Sequence, residues 1–128
     1  MGNVQLVRLA PAIEQALGND PEFIVVDEAT REVVGSCGFK AAPSPDGSVE
    51  IAYFTYPGFE GRGYATKMAR KLIPLASSSA LVRQVIAHTL PETNASTRVL
   101  AKAGMTFVGE VIDPEDGRVW RWQVQAGT

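Results

Sequence analysis

The stretch Tyr56 to Leu72, YPGFEGRGYATKMARKL, constrains this chain more than any other. Gly58, Gly61 and Gly63 lie within six residues, with an alternating apolar run before them and a helix-like run after. Glycine takes up positive φ without steric penalty and lets another group come close to the main chain. The first amides of a helix have no partner within it, and the helix dipole puts partial positive charge beside them. A strand, a glycine loop and a helix in that order therefore build a seat for an anion, most readily a phosphate.

Two familiar phosphate loops do not fit. Gly58 and Gly63 have the P-loop separation, but Tyr64 and Ala65 follow where that loop needs Lys and Ser or Thr. The dinucleotide fingerprint, counted from Gly61 and Gly63, puts its third glycine at Thr66.

The β-branched run 22–27 (EFIVVD) predicts a strand, as do 31–40, 49–56, 81–89, 105–112 and 118–125, with a short one at 4–9. In 49–56, Val49, Ile51, Tyr53 and Thr55 share one face, and Glu50, Ala52, Phe54 and Tyr56 the other. Turns are expected at APSPDGS (42–48) and DPEDG (113–117). Helices are expected at Ala10 to Leu17, stopped by Gly18, at 64–78, and at 93–104 with a cap near Thr93 or Asn94. In the middle helix Ala65, Met68, Leu72 and Leu75 fall roughly on one side, and Pro74 should kink it or mark its fraying end. This order of elements belongs to an α+β domain with a mixed sheet.

The 128 residues suit one domain, 1–128, and 45% hydrophobic against 20% charged residues supports a buried core. A net charge of −2 without a basic block disfavours nucleic acid as a partner. Cys37, the single cysteine, allows no internal disulfide and agrees with a reducing compartment. The N-terminus lacks a basic segment followed by an apolar one, and no apolar run approaches a membrane span, so the expectation is a cytoplasmic protein without a membrane partner. Asp113, Glu115 and Asp116 read as turn residues, and no metal site is expected.

From Pro57, PGFEGRGYAT resembles the pyrophosphate-binding loop of the GNAT superfamily of acyl-CoA-dependent N-acyltransferases, whose pattern is Gln/Arg-x-x-Gly-x-Gly/Ala. Glu60 departs at its first place. Main-chain amides do the binding there, so Glu60 is expected to point away from the phosphates. LPETNASTRVLAKAGM (90–105) resembles a second segment of that superfamily, in its ribosomal-protein N-terminal acetyltransferase-like branch. Asn94, Ser96, Arg98, Val99, Leu100, Lys102 and Gly104 match, and Met105 stands where phenylalanine is usual. The resemblance runs from about Phe23 to Val124.

It implies a GNAT-like α+β fold: a central mixed, mostly antiparallel sheet, flanked by helices, whose fourth and fifth strands (49–56 and 83–89) splay apart around acetyl-CoA. The pantetheine arm would hydrogen-bond main chain near Phe54 and Thr55 like an added strand. Gly61, Arg62, Gly63, Tyr64, Ala65 and Thr66 would hold the pyrophosphate, Arg62 adding charge, and Asn94 would contact the pantetheine. The implied reaction is direct attack of a primary amine on the acetyl thioester, which needs a base, an oxyanion donor and a proton for the thiolate. Glu50 is the candidate base, because apolar neighbours on a strand would raise its pKa; the plainer reading is a surface carboxylate. The tyrosine that donates the proton in many relatives is replaced by Leu100, and the branch this chain resembles implies its motif serine, Ser96, as the substitute; the plainer reading of Ser96 is helix capping beside Asn94. His88 reads as a hydrogen-bonded structural histidine before a base. Cys37 reads as buried core, and Trp120 and Trp122 as core or dimer contacts.

The superfamily places two helices between its first and second strands, where this chain offers only Ala10 to Leu17. That shortened N-terminal helical region implies an open acceptor cleft, closed by a second subunit of a homodimer or by a large substrate such as a protein N-terminus. A small-molecule amine is the other acceptor class. Two functions fit these observations: an N-acetyltransferase, or a non-catalytic acyl-CoA-binding module that kept the wedge.

Overall fold

In the computed structural model, which describes residues 3–8 and 22–126, seven strands form one sheet in the order β1-β2-β3-β4-β5-β7-β6. They are β1 Val4–Arg8, β2 Glu22–Asp27, β3 Val33–Phe39, β4 Ser48–Thr55, β5 Gln84–Thr89, β6 Thr106–Asp113 and β7 Gly117–Gln125. Neighbours pair antiparallel except β4 and β5, which run parallel. Antiparallel neighbours need only turns. One such turn joins β6 to β7, where Asp113 Oδ2 accepts the N–H groups of Glu115 and Asp116 at 3.0 and 2.9 Å. A parallel pair needs a longer crossover, supplied here by the glycine loop and helix α1, Tyr64–Ser77. Helix α2, Ala95–Lys102, follows β5.

The parallel pair is short, and that brevity positions the site. β4 meets β5 only at Ser48↔Gln84, Val49↔Val85 and Glu50↔Ile86. Beyond Glu50, β4 stays with β3 as far as Gly35↔Thr55, while β5 stays with β7 as far as Thr89↔Trp120. The sheet therefore opens between Ile51–Thr55 and Ala87–Thr89, as expected for splayed fourth and fifth strands.

The core lies between the sheet and the helices. Met68 and Leu72 of α1, Leu100 of α2, and Val25, Val34 and Val85 of the sheet are fully buried. Burying one such side chain is worth about 1.5–3 kcal/mol. Gly35 on β3 is the point of closest approach: a Cβ there would lie 2.5 Å from Met68 Cε and 2.3 Å from the Phe54 carbonyl oxygen. Its missing side chain lets α1 sit down beside the strand that borders the gap.

The buried face of α1 is Tyr64, Met68, Ala69, Leu72 and Ala76. The expected stripe thus holds for Met68 and Leu72, but Leu75 is 38% exposed and Tyr64 takes a buried place. Tyr64 is held inward by a polar partner, which apolar periodicity does not register. Pro74 does not end the helix: Ser78 N–H closes its last turn onto Pro74 and Leu75 carbonyls, and Ser78 Oγ adds a bond to Leu75 O at 2.6 Å. The helix expected at Ala10 to Leu17 lies outside the described residues. Among the described residues no helix is long and apolar enough to cross a membrane.

Candidate active site

The glycine loop leads into α1 through Gly61 (φ 77°) and Gly63 (φ 85°), both left-handed. A Cβ on Gly61 would meet nothing within 4 Å, so the turn needs glycine for its φ, not for room. Gly63 is the N-cap, with no side-chain cap and no acidic residue in the first turn. The first helical bond runs from Lys67 N–H to Gly63 O, 3.2 Å. The amides of residues 61–66 have no acceptor among the described residues. They are a cluster of free donors at the positive end of a helix dipole.

Tyr64, the first helical residue, fixes where those donors point. Its hydroxyl donates to Asp27 Oδ2 at 2.5 Å in a buried pair, and Asp27 Oδ1 accepts Ala29 N–H (2.8 Å) and Thr30 N–H (3.1 Å). The Tyr64 hydrogen bond, followed by the turn amides, holds the Asp27 carboxyl below its usual range and raises the Tyr64 phenol. Glu60 lines the cleft, with its Oε1 turned back onto Gly58 N–H at 3.3 Å. Arg62, expected near the phosphates, carries its guanidinium 5.5 Å above the Phe59 ring.

A cleft of 470 Å³ runs along this loop. Its walls include Tyr53, Phe54 and Thr55 of β4, Gly61, Gly63, Tyr64, Ala65 and Thr66 at the start of α1, and Ala95, Ser96, Arg98, Val99 and Lys102 of α2. Lys40 N–H bonds Glu50 O and Tyr56 N–H bonds Val34 O, each 2.9 Å. Those two bonds set the phase of β4: main-chain groups of Ala52 and Phe54 turn to β3, and those of Tyr53 and Thr55 turn to the gap. The free edge expected at Phe54 and Thr55 thus falls at Tyr53 and Thr55. Phe54 contributes its side chain, 57% exposed.

A second cleft, of 430 Å³, takes in Lys40, Glu50, Ala52, His88, Thr89, Leu90 and Asp116. Glu50 and His88 lie on the sheet face opposite the helices, because their neighbours Val49, Val85 and Ala87 belong to the helix-side core. Both clefts include Tyr53 and Ser96. The gap between β4 and β5 is the place where they meet.

Glu50 is 19% exposed, with His88 Nδ1 3.1 Å and Lys40 Nζ 3.5 Å from its Oε2. The apolar surroundings expected for Glu50 are in fact polar. Lys40 is held above its ordinary pKa chiefly by the Glu50 carboxylate. The hydrogen-bonded role expected for His88 is not what is found: despite the short approach of Nδ1 to Glu50, both buried ring nitrogens lack a hydrogen-bond partner among the described residues.

Asn94 is the N-cap of α2. Its Oδ1 accepts Thr97 N–H at 3.1 Å, and Thr97 Oγ1 accepts Asn94 N–H at 3.0 Å. With the cap formed by these two, Ser96 is free to face the junction of the clefts. Tyr53, assigned no role from sequence, stands beside it. Burial pushes the Tyr53 phenol up to about 12, against a lowering by its hydrogen bond with Ser96. Leu100 is fully buried, Cys37 is buried core with its thiol pushed up to about 12, and Trp122 is core with Nε1–H donating to Thr89 Oγ1 at 3.2 Å.

The site combines a mixed sheet parted between β4 and β5, a helix start with free amides, and Glu50 and His88 on the far face of the gap. Residues 6–106 match the acetyltransferase (GNAT) domain family, and the chain belongs to that family. It is 28% identical over 101 residues to the uncharacterized N-acetyltransferase p20 of Bacillus licheniformis, covering 79% of this chain and 57% of that protein. It is 32% identical over 82 residues to the uncharacterized N-acetyltransferase YjdG of Bacillus subtilis, covering 64% and 49%. The chain thus spans about half the length of these curated relatives. The fold also matches a crystal structure of aminoglycoside acetyltransferase AAC(6')-Ib in complex with coenzyme A, TM-score 0.74, 20% identity, over 90% of this chain and 70% of that one.

Proposed function

We propose that this chain is an acetyl-CoA-dependent N-acetyltransferase acting on a primary amine. The observation that carries the reading is the meeting of two clefts at Tyr53 and Ser96 through the parted strands. Acetyl-CoA supplies a thioester whose acetyl group is open to attack by a neutral amine. The free amides of residues 61–66 hold its diphosphate. The unpaired main chain of Tyr53 and Thr55 takes the pantetheine as a strand would. The thioester then lies at the gap, with the amine entering from the opposite face past Glu50 and His88.

The Glu50–His88 couple takes the proton that the amine sheds. Ser96, backed by Tyr53, offers a hydroxyl to the departing thiolate. A phenol pushed up to about 12 by burial keeps its proton at neutral pH. Lys40 and Asp116 at the rim of the second cleft give it both signs of charge, which suits an acceptor with a polar group next to its amine, such as a protein N-terminus or a polyfunctional small amine. A homodimer is part of the reading: Phe107, Val108 and Ile112 leave apolar surface on the edge strand β6, 47%, 50% and 73% exposed. The buried, unpaired Cys37 agrees with a cytoplasmic setting.

The test is release of free coenzyme A from acetyl-CoA against a panel of small amines, peptides and proteins. Turnover is expected with at least one acceptor class, lost in Glu50→Gln with acetyl-CoA binding retained. Clear binding with no turnover across the panel would support the non-catalytic acyl-CoA-binding module instead.

A further inference from the structure

An amine that enters the second cleft meets a cation already there. Lys40 follows β3, and its N–H donates to Glu50 O at 2.9 Å, so the two residues are cross-strand partners with side chains on one face. Lys40 Nζ lies 3.5 Å from Glu50 Oε2 and 3.9 Å from Asp116 Oδ2. One ammonium thus spans two carboxylates from separate parts of the fold, β4 and the turn between β6 and β7. The neighbouring charges are otherwise engaged. Arg118 pairs Glu110 at 3.2 Å, and Asp113 accepts two amides of its own turn. Arg121, in register with His88, lends its charge to Asp46. Among the described residues lining the cleft, Lys40 is the one lysine or arginine, set against the acids Glu50 and Asp116.

A primary alkylamine has an ordinary pKa of about 10.4 and therefore reaches the cleft as an ammonium. The most favourable place for that charge is the one within reach of both carboxylates, and Lys40 holds it. Two ammonium groups so close repel even across water. Lys40 does not give way by losing its proton, because the Glu50 carboxylate chiefly, and Asp116 after it, hold its pKa above the ordinary value. It gives way by moving. Its side chain is 41% exposed and ends a flexible four-carbon stem, and both contacts are longer than a tight charge-assisted hydrogen bond. Exposed pairs of this kind are weak, so release to water costs little.

We propose that Lys40 is a specificity-determining residue of the acceptor cleft: an internal ammonium that occupies the seat between Glu50 and Asp116 until the ammonium of an acceptor displaces it. Entry is then an exchange of one cation for another. Lys40 weakens acceptor binding without touching the acyl donor, and an uncharged molecule has no charge to set in its place. The inference rests on the acetyltransferase reading above for the identity of the cleft, and on the two ion pairs for the exchange itself.

NMR titration of the isotope-labelled full chain with n-butylammonium chloride, at constant ionic strength and without acetyl-CoA, tests the exchange. The proteins are wild type, Lys40→Met and Lys40→Arg, with n-butanol as the uncharged control. Methionine keeps an unbranched stem and removes the charge at an exposed position, so the fold should tolerate it. Lys40→Met should bind n-butylammonium about 2- to 5-fold more tightly than wild type, the range an exposed ion pair allows, and the gain should shrink as salt rises. Lys40→Arg should bind it no more tightly than wild type. In wild type the Lys40 side-chain signals should move as Nζ is released, and n-butanol should not distinguish the three proteins. Equal or weaker binding by Lys40→Met overturns the exchange, as do wild-type binding that leaves the Lys40 signals in place, the same gain with n-butanol, and no binding by any of the three. Turnover of an amine with acetyl-CoA would leave the acetyltransferase reading standing after any of those results. Tighter binding by Lys40→Met in a protein that turns over no amine upholds the exchange and removes the enzyme.

Discussion

The two helices among the described residues begin in opposite ways. Helix α2 starts with a complete reciprocal cap, Asn94 and Thr97 each bonding the other's main chain. Helix α1 starts on a left-handed glycine with no side-chain cap, although it is the longer helix and carries Met68 and Leu72 into the core. Capping is worth roughly 1 kcal/mol, and serine, threonine or aspartate at position 63 would supply it if stability alone mattered. The bare start is instead held from behind by the buried Tyr64–Asp27 bond, which satisfies no amide of the loop. The satisfied helix start presents Ser96 to the gap; the unsatisfied one leaves its donors free.

The largest test of this contrast is Gly63→Val. A β-branched residue at φ 85° is strained, by about 1–2 kcal/mol, and the loop amides would be displaced as it relaxes. With charge-assisted hydrogen bonds worth about 1.5–3 kcal/mol each, acetyl-CoA affinity should fall about 100-fold or more by calorimetry. Tyr53→Phe comes next. It leaves the ring in place and removes the hydroxyl at Ser96, so kcat should fall about 10- to 100-fold with KM for acetyl-CoA little changed.

The capped start should answer differently. Thr97→Val keeps the shape of a buried side chain and breaks the cap, at a cost of about 1 kcal/mol seen as a lower Tm, with acetyl-CoA affinity within about two-fold of wild type. Loss of affinity as large as that of Gly63→Val would erase the distinction between the two helix starts.

The anchor of α1 has a pH signature. Asp27 is depressed in the folded state, so its contribution to stability is present above the unfolded carboxyl pKa of about 3.9 and is lost as pH falls through the lower folded value. Wild type should therefore lose stability below about pH 4, and Asp27→Asn should be less stable at neutral pH with a shallower acid limb in thermal melts. An unchanged acid limb would show that Tyr64 does not depend on that charge.

Local features carried much of this into the sequence. Three glycines before a helical run mark a bare helix start, and Asn94 followed by Thr97 marks a capped one, because both are written within a few residues. Strand alternation in 49–56 likewise separates Glu50 from Tyr53. What stayed hidden depends on contacts between distant segments. Tyr53 and Ser96 meet only because β4 and β5 part, and Asp27 reaches Tyr64 across the sheet. The polar setting of Glu50 comes from Lys40 and His88 on two other strands or their ends, and no run of neighbours along 49–56 announces it. The place of the Arg62 guanidinium has a local cause: the Phe59 ring, three residues back, offers it a face.

The most direct measurement is an amide NMR titration of the isotope-labelled protein with coenzyme A. The amide protons of residues 61–66 should move downfield and gain protection from exchange as they find an acceptor, while those of Asn94 and Thr97, already bonded to each other's side chains, gain no protection. Binding that leaves the 61–66 amides where they were would contradict the account.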